Sequence, residues 1–178
     1  RIFDYLLFPF YLIWVVVTFL FGSLLCFLPN PFSRTYLPNL GHHLFGRAVM
    51  LGFNFSLHCQ KSLPSKAIFI ANHTSMLDIP AIIASYPQLR FLSKIEVAKI
   101  PLMGLVMKKT GHFLVDRKNA ESRKKVINQI LQTQNADLIL FPEGTRNPMP
   151  QQGILEFRGG AFRLANELGL PLVLIYIE

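Results

Sequence analysis

At 178 residues the chain is long enough for one globular domain with a sizeable core plus an extension. A net charge of +8 and a pI near 9.8 call for an anionic partner. With no nucleic-acid-binding module or aromatic–basic platform in the sequence, nucleic acid is not the expected partner and an anionic lipid surface is the simpler one. Two cysteines, Cys26 and Cys59, make no disulfide framework and are expected to be reduced, buried and inert.

The hydrophobic share of 51% is concentrated at the start. Tyr5 to Leu28 carries no charge and is long enough to cross a hydrocarbon core of about 30 Å at 1.5 Å per residue. It is too long for a signal peptide, and no small-residue cleavage site follows it. Pro9 and Gly22 are expected to kink or tilt this helix, and Pro29-Asn30-Pro31 to turn the chain after it. Arg34 to Phe53 is a second expected helix, with Leu40, Leu44, Phe45, Val49 and Met50 separated by His42, His43 and Arg47. It suits either the headgroup region of a bilayer or a packing role on the globular part. The histidine pair has no carboxylate or thiol at zinc spacing, so no metal site is expected.

From residue 54 the pattern changes. Asn54 to Gln60 alternates like a half-exposed strand, and Lys61 to Lys66 reads as a turn. Ala67 to Ala71 is an apolar run of buried-strand type, and Asp78 then opens a helix with Pro80 in its first turn. Further strands are expected at Leu89–Leu92, 110–115, 137–141 and 170–177. Between them fall an apolar helix or turn at 100–107, a helix at 120–132 and another at 159–168. In the middle helix Val126, Ile127, Ile130 and Leu131 form one face, opposite Arg123, Lys124 and Lys125. This alternation predicts an α/β fold, a mixed sheet flanked by helices, with an N-terminal membrane-embedded helical segment. The expected division is 1–53, membrane-anchoring helices, and 54–178, the α/β domain. Because the chain opens on Arg1 and stops just after an apolar strand, both ends are expected to be cut.

Chemistry gathers at three strand ends. In Asn72-His73-Thr74-Ser75-Met76-Leu77-Asp78, His and Asp five apart on one straight helix would point about 140° apart. With His73 ending a strand and Asp78 opening a helix, the loop can instead fold one onto the other. Asp78 would then hold one imidazole nitrogen and leave the second free to accept a proton. Asp116-Arg117 ends the strand of Gly111-His112-Phe113-Leu114-Val115. Phe141-Pro142-Glu143-Gly144-Thr145-Arg146 follows Leu138-Ile139-Leu140. A serine-hydrolase use of Ser75 with His73 and Asp78 competes, but no Gly-x-Ser-x-Gly elbow is present.

These blocks, in this order, resemble those of the 1-acylglycerol-3-phosphate acyltransferases, the lysophosphatidate and glycerophosphate acyltransferase family. Asn72, His73 and Asp78 match the first block, and Gly111, Phe113, Asp116 and Arg117 the second. The third, Phe-Pro-Glu-Gly-Thr-Arg, is intact at 141–146. The fourth falls on Gly169 to Leu174, with Leu174 where many members carry a second proline. The resemblance covers about residues 54–178. It implies acyl transfer from a thioester, acyl-CoA or an acyl carrier protein, to a lysophospholipid hydroxyl, with no cofactor. His73 is then the base and Asp78 its orienting group. Lys94, Asp116, Arg117, Glu143, Gly144, Thr145 and Arg146 are the expected substrate-binding set, the arginines seating a phosphate through a planar fork of donors. Glu143 is expected to position Arg146 or to bond glycerol hydroxyls, and Gly144 to bring backbone N–H groups close to a ligand. Arg158 and Arg163 are further phosphate candidates. A bacterial cytoplasmic membrane, with the site on the cytoplasmic side, is the implied location. Two rivals stay open: a remodelling acyltransferase or transacylase with a headgroup-bearing acceptor, and a non-catalytic lipid-binding membrane protein.

Overall fold

The computed structural model describes residues 2–29, 36–58, 63–64, 66–133 and 137–177. Asn30 and Pro31 of the expected turn, Arg34, Cys59, and Lys61, Ser62 and Ser65 of the 61–66 turn lie outside these residues. The chain forms two compact units, one made of 1–61 with 79–88 and the other of 62–78 with 89–178.

In the first unit, α1 spans Ile2–Phe27 and α2 spans Tyr36–Gly52. They cross where glycines let backbones meet: a Cβ on Gly22 would lie 2.8 Å from the Gly41 carbonyl oxygen. Trp14 donates its indole N–H to the Ala48 carbonyl at 2.9 Å, Tyr11 stacks on Phe53 at 4.8 Å, and Phe19 meets Phe45 edge-on. Gly46 of α2 gives α3 (Asp78–Ser85) the same close approach, with a substituted Cβ 2.6 Å from the Ala84 nitrogen. Phe8–Phe27 is long and apolar enough to cross a membrane, with mean hydropathy 2.3. Much of its surface has no protein over it: Phe10, Ile13, Val17, Phe21 and Leu24 are all exposed.

The expected strand at 54–60 does not form over its described residues. Instead α2 ends in a capping turn, in which Asn54 is left-handed at φ 57° and Phe55 N–H donates back to the Met50 carbonyl at 2.9 Å. That six-to-one bond satisfies an orphan carbonyl of the last turn. The alternation at 53–58 was a helix cap and its tail, not a pleat.

The second unit is built on β1 (Ile68–Ala71), β2 (Arg90–Lys94), β3 (Phe113–Val115), β4 (Leu138–Leu140) and β5 (Leu172–Ile175), in the order β3-β2-β4-β1-β5. The α/β fold is as expected, but the sheet is not mixed: every described pairing is parallel. Strands joined by helical crossovers favour that arrangement, and a parallel strand buried on both faces reads as the continuous apolar run seen in β1.

One face of the sheet, Ile68, Ile70, Phe113, Val115 and Leu138, packs on Val126 and Ile130 of α5 (Ala120–Gln132) and on Ala161, Leu164 and Ala165 of α6 (Gly160–Leu168). Leu131, expected on that core face of α5, is exposed; only the narrower 126/130 stripe is fully buried. Asn119 caps α5 by accepting from Glu121 and Ser122 N–H groups, and Gly169 ends α6 in the left-handed conformation. The other face carries Phe69, Phe91 and Ile139, all buried. Between β2 and β3 run a 3₁₀ turn at Ile95–Lys99 and α4 (Met103–Lys109), after which Gly111, at φ 77°, turns the chain into β3. A second 3₁₀ turn spans Pro150–Gln152.

Candidate active site

Because the strands are parallel, all five deliver their C-terminal ends to one edge of the sheet. That edge receives His73 from β1, Lys94 from β2, Asp116 and Arg117 from β3, Glu143 from β4 and Ile177 from β5. The connections leaving β1 and β2 run toward the β3 side, whereas that leaving β4 runs to β5 on the other. Loops that part in this way open a crevice outside the strand ends, the usual place for a ligand in such sheets.

The His73 loop is closed by one oxygen. Asp78 Oδ2 accepts from the backbone N–H groups of Thr74 (2.8 Å) and Ser75 (2.9 Å) and from His73 Nδ1 at 2.7 Å. The carboxylate is 3% exposed and the imidazole 14%. Against an ionised carboxylate, which only accepts, Nδ1 is the nitrogen that carries the proton, and among the described residues Nε2 has no hydrogen-bond partner. As first residue of α3, Asp78 also places its charge where a helix N-terminus favours an anion. The Ser75 hydroxyl is turned inward, accepting from the Leu77 N–H at 3.1 Å. Among the described residues it makes no bond with His73, so it lacks the activation a serine nucleophile needs.

The β4 loop then grips the backbone of His73 on both sides. His73 N–H donates to Glu143 Oε1 at 2.6 Å, and Asn147 N–H donates to the His73 carbonyl at 2.7 Å. Glu143, 3% exposed, uses its other oxygen to accept from Leu155 N–H at 3.3 Å. Its carboxylate thus ties three loop segments together. Gly144 supplies the left-handed turn after it, at φ 73°, closed by its own N–H to the Phe141 carbonyl. Asn72 exchanges two hydrogen bonds of 2.7 Å with the backbone of Ile177, hooking the β1 loop to the end of β5. The imidazole lies flat against the Phe141 ring, centroids 4.0 Å apart and planes 15° from parallel.

The cations are held differently. Lys94, Arg117, Thr145 and Arg146 are exposed, and among the described residues no carboxylate pairs with Lys94, Arg117, Arg146 or Arg158. Asp116 is part of the turn beneath Arg117: its Oδ1 accepts from Lys118 N–H, and its N–H donates to Ser122 Oγ. Arg123 donates to the Arg117 carbonyl at 2.6 Å. The Arg117 guanidinium is pushed below its ordinary pKa by partial desolvation and by neighbouring Arg158, against a smaller pull from Glu96. Arg158 also lies over the Gly144 turn, where a Cβ would meet its Nε at 3.0 Å, and its N–H donates to the Pro142 carbonyl at 2.9 Å.

The expected residues therefore separate into a buried imidazole–carboxylate half and an exposed cationic half. The sequence did not disclose the backbone donors on Glu143, the Asn72–Ile177 hook, the Asn147 bond or the Phe141 stack. Phe141 and Asn72 lay inside motifs already singled out, but what they touch depends on strand order.

A parallel α/β sheet with an Asp-held histidine at its carboxyl edge defines a class of protein, and the comparisons name the family. The acyltransferase family model matches residues 54–178, and the chain belongs to that family. It is 33% identical over 157 residues to a 1-acyl-sn-glycerol-3-phosphate acyltransferase of Cocos nucifera, covering 84% of this chain and 50% of that protein. It is 29% identical over 174 residues to the Escherichia coli (strain K12) protein of the same name, covering 93% of this chain and 69% of that one. The chain thus spans about half the length of the coconut relative. Among solved structures, the 1-acyl-sn-glycerophosphate (LPA) acyltransferase PlsC of Thermotoga maritima shares the fold, with a TM-score of 0.77 at 21% identity over 96% of this chain and 72% of that one.

Proposed function

We propose that the protein is a membrane-associated O-acyltransferase that moves a fatty acyl group from an acyl thioester to the free hydroxyl of 1-acylglycerol 3-phosphate, giving phosphatidic acid. The observation that carries this is the His73–Asp78 pair, with Nδ1 held at 2.7 Å and Nε2 free, at the edge of the sheet that also receives Lys94 and Arg117. His73 Nε2 takes the proton of the acceptor hydroxyl as its oxygen attacks the thioester carbonyl carbon. The C–S bond then breaks, and the leaving thiolate takes the same proton back from Nε2. The protein needs no nucleophile of its own for this, and Asp78 keeps the ring in the required tautomer throughout.

Arg146 and Arg117 hold the acceptor's phosphate in this reading, because unpaired guanidinium forks match its oxygens, and Lys94 adds a point charge. Gly144 and Thr145 shape the turn that presents Arg146. Asp116 and Glu143 act from beneath, through the backbone of the loops. The exposed apolar surface of α1 supports embedding in a bilayer, and the proposal places the protein in a bacterial cytoplasmic membrane with the site on the cytoplasmic side. The test is an assay of the purified full chain with a panel of lyso-acceptors and acyl thioesters. Fastest turnover is expected with 1-acylglycerol 3-phosphate. A preference for lysophosphatidylcholine or lysophosphatidylethanolamine would move the protein to the remodelling class, and no turnover with any pair would leave a lipid-binding protein.

A further inference from the structure

His73 has a neighbour with no polar atom to offer. In the β1/β4 ladder Ile70 is level with Leu140, so the next residues, Ala71 and Phe141, leave the sheet side by side. Phe141 falls on the same face as Phe69 and Ile139, and its ring is set by Phe91, 6.2 Å away between centroids. Phe91 is in turn held edge-on to His112, whose Nδ1 accepts the Phe91 N–H at 3.0 Å. The outcome is a phenyl face parallel to the His73 imidazole at 4.0 Å. The negative face of an aromatic ring attracts a cation placed over it within about 6 Å.

From this geometry we infer that Phe141 is a positioning residue that fixes the plane of His73 and stabilises its imidazolium form through the ring face. The inference rests on the acid–base reading above and deepens it. When the acceptor hydroxyl's proton reaches Nε2, the neutral imidazole becomes a cationic ring and the attacked acyl carbonyl gains a negative oxygen. The groups facing that cation are the Asp78 carboxylate at Nδ1 and the Glu143 carboxylate at the His73 backbone N–H. Both are fixed in-plane or backbone partners, whereas the phenyl face acts on the ring as a whole. It sits where charge appears and needs no rearrangement as it does so, the condition under which a fixed electrostatic partner lowers a barrier.

The test grades the π face while holding shape nearly constant. The full chain is made with 4-fluoro-, 3,5-difluoro- and pentafluorophenylalanine at position 141, alongside Phe141→Leu and Phe141→Tyr. Expected is a stepwise loss of kcat along the fluorinated series, about two- to thirtyfold in total, with the acceptor KM unchanged. Phe141→Tyr should retain most of the rate and Phe141→Leu should resemble the most fluorinated protein. A second arm needs no turnover: the imidazolium fraction of His73, read from its ¹⁵N shifts at one fixed acidic pH, should fall along the same series. An unchanged imidazolium fraction, or an unchanged kcat, across the fluorinated proteins overturns the inference. Normal turnover in His73→Ala would instead defeat the acid–base reading, and the ¹⁵N arm would still decide what Phe141 does to the ring.

Discussion

The two halves of the site are built on opposite plans. Around His73 buried carboxylates fix the loop: Asp78 closes it on three donors, Glu143 accepts from two backbone segments, and the ring is pressed on Phe141. Around Arg117, Arg146 and Arg158 the backbone is fixed while the guanidiniums are left unpaired among the described residues. A proton-transfer group must be aimed within a narrow range of distance and angle, which buried partners secure. A phosphate can be met by long side chains that close on arrival. In the proposed function, rigidity falls where geometry is demanding and free charge where the ligand would supply the partner.

The first way to break this contrast is to remove the imidazole. His73→Ala should lower acyl transfer by at least the ~10²–10⁴ typical of a lost general base, with an unchanged circular-dichroism spectrum. Asp78→Ala should fall in the same range and also lose stability, since Thr74 and Ser75 N–H groups would share the loss. Near-normal turnover in either variant defeats the proposed roles.

The cationic half should respond in a different parameter. Charge-neutral Arg146→Gln and Arg117→Gln remove a charged hydrogen-bond partner, worth about 1.5–3 kcal/mol in the bound complex, or roughly tenfold to more than a hundredfold in acceptor efficiency. That loss should appear with lysophosphatidate and not with a neutral monoacylglycerol, and Arg146→Lys should restore only part of it. Equal losses with both acceptors would assign these arginines to the fold or to the donor.

Glu143 sharpens the comparison, because its substitution should act on stability before chemistry. Glu143→Ala orphans the His73 and Leu155 N–H groups, costing about 1–3 kcal/mol for each that stays buried. The readout is a thermal midpoint lowered by roughly 2–4 °C per kcal/mol for a chain of this size, together with a smaller kcat. An unchanged midpoint would contradict the tie between the loops. The smallest effect concerns the membrane. Deleting 1–53 should turn a protein that needs detergent into one that is released by high salt, and full recovery of the intact chain without detergent would end the anchoring proposal.

Much of the site was legible because its chemistry sits in short local blocks. His73 and Asp78 are close in sequence, and a strand-to-helix turn is enough to join them. The strand ends could be read because buried parallel strands are continuous apolar runs closed by polar residues. Strand order could not, since nothing local says that β4 inserts between β2 and β1. Everything that depends on that insertion was therefore hidden, including the Glu143 bonds and the Phe141 stack. The misplaced strand at 54–60 failed for a different reason: a helix cap with left-handed Asn54, followed by a polar–apolar tail, imitates a period of two. Leu131 is exposed because the sheet fully covers only the Val126/Ile130 stripe of the four apolar positions on α5.

The position of β1 has a consequence for how the protein is made. Of the five described strands it leaves the ribosome first, and it ends up between β4 and β5, paired with both. His73 finds Glu143 70 positions later, and Asn72 finds Ile177 105 positions later. At roughly 5–20 residues per second of synthesis, β1 waits several seconds to some twenty seconds for its partners. Throughout that interval both hydrogen-bonding edges of Ile68–Ala71 lack their strand partners, although Phe113, Val115, Val126 and Ile130 of the same core are made before β4. The imidazole pair can form early, being local, but the frame around it closes only when β4 and β5 arrive. A slow-folding, high-separation topology is thereby built into the site itself, and partly synthesised chains hold the His73 and Glu143 blocks without the bonds that join them.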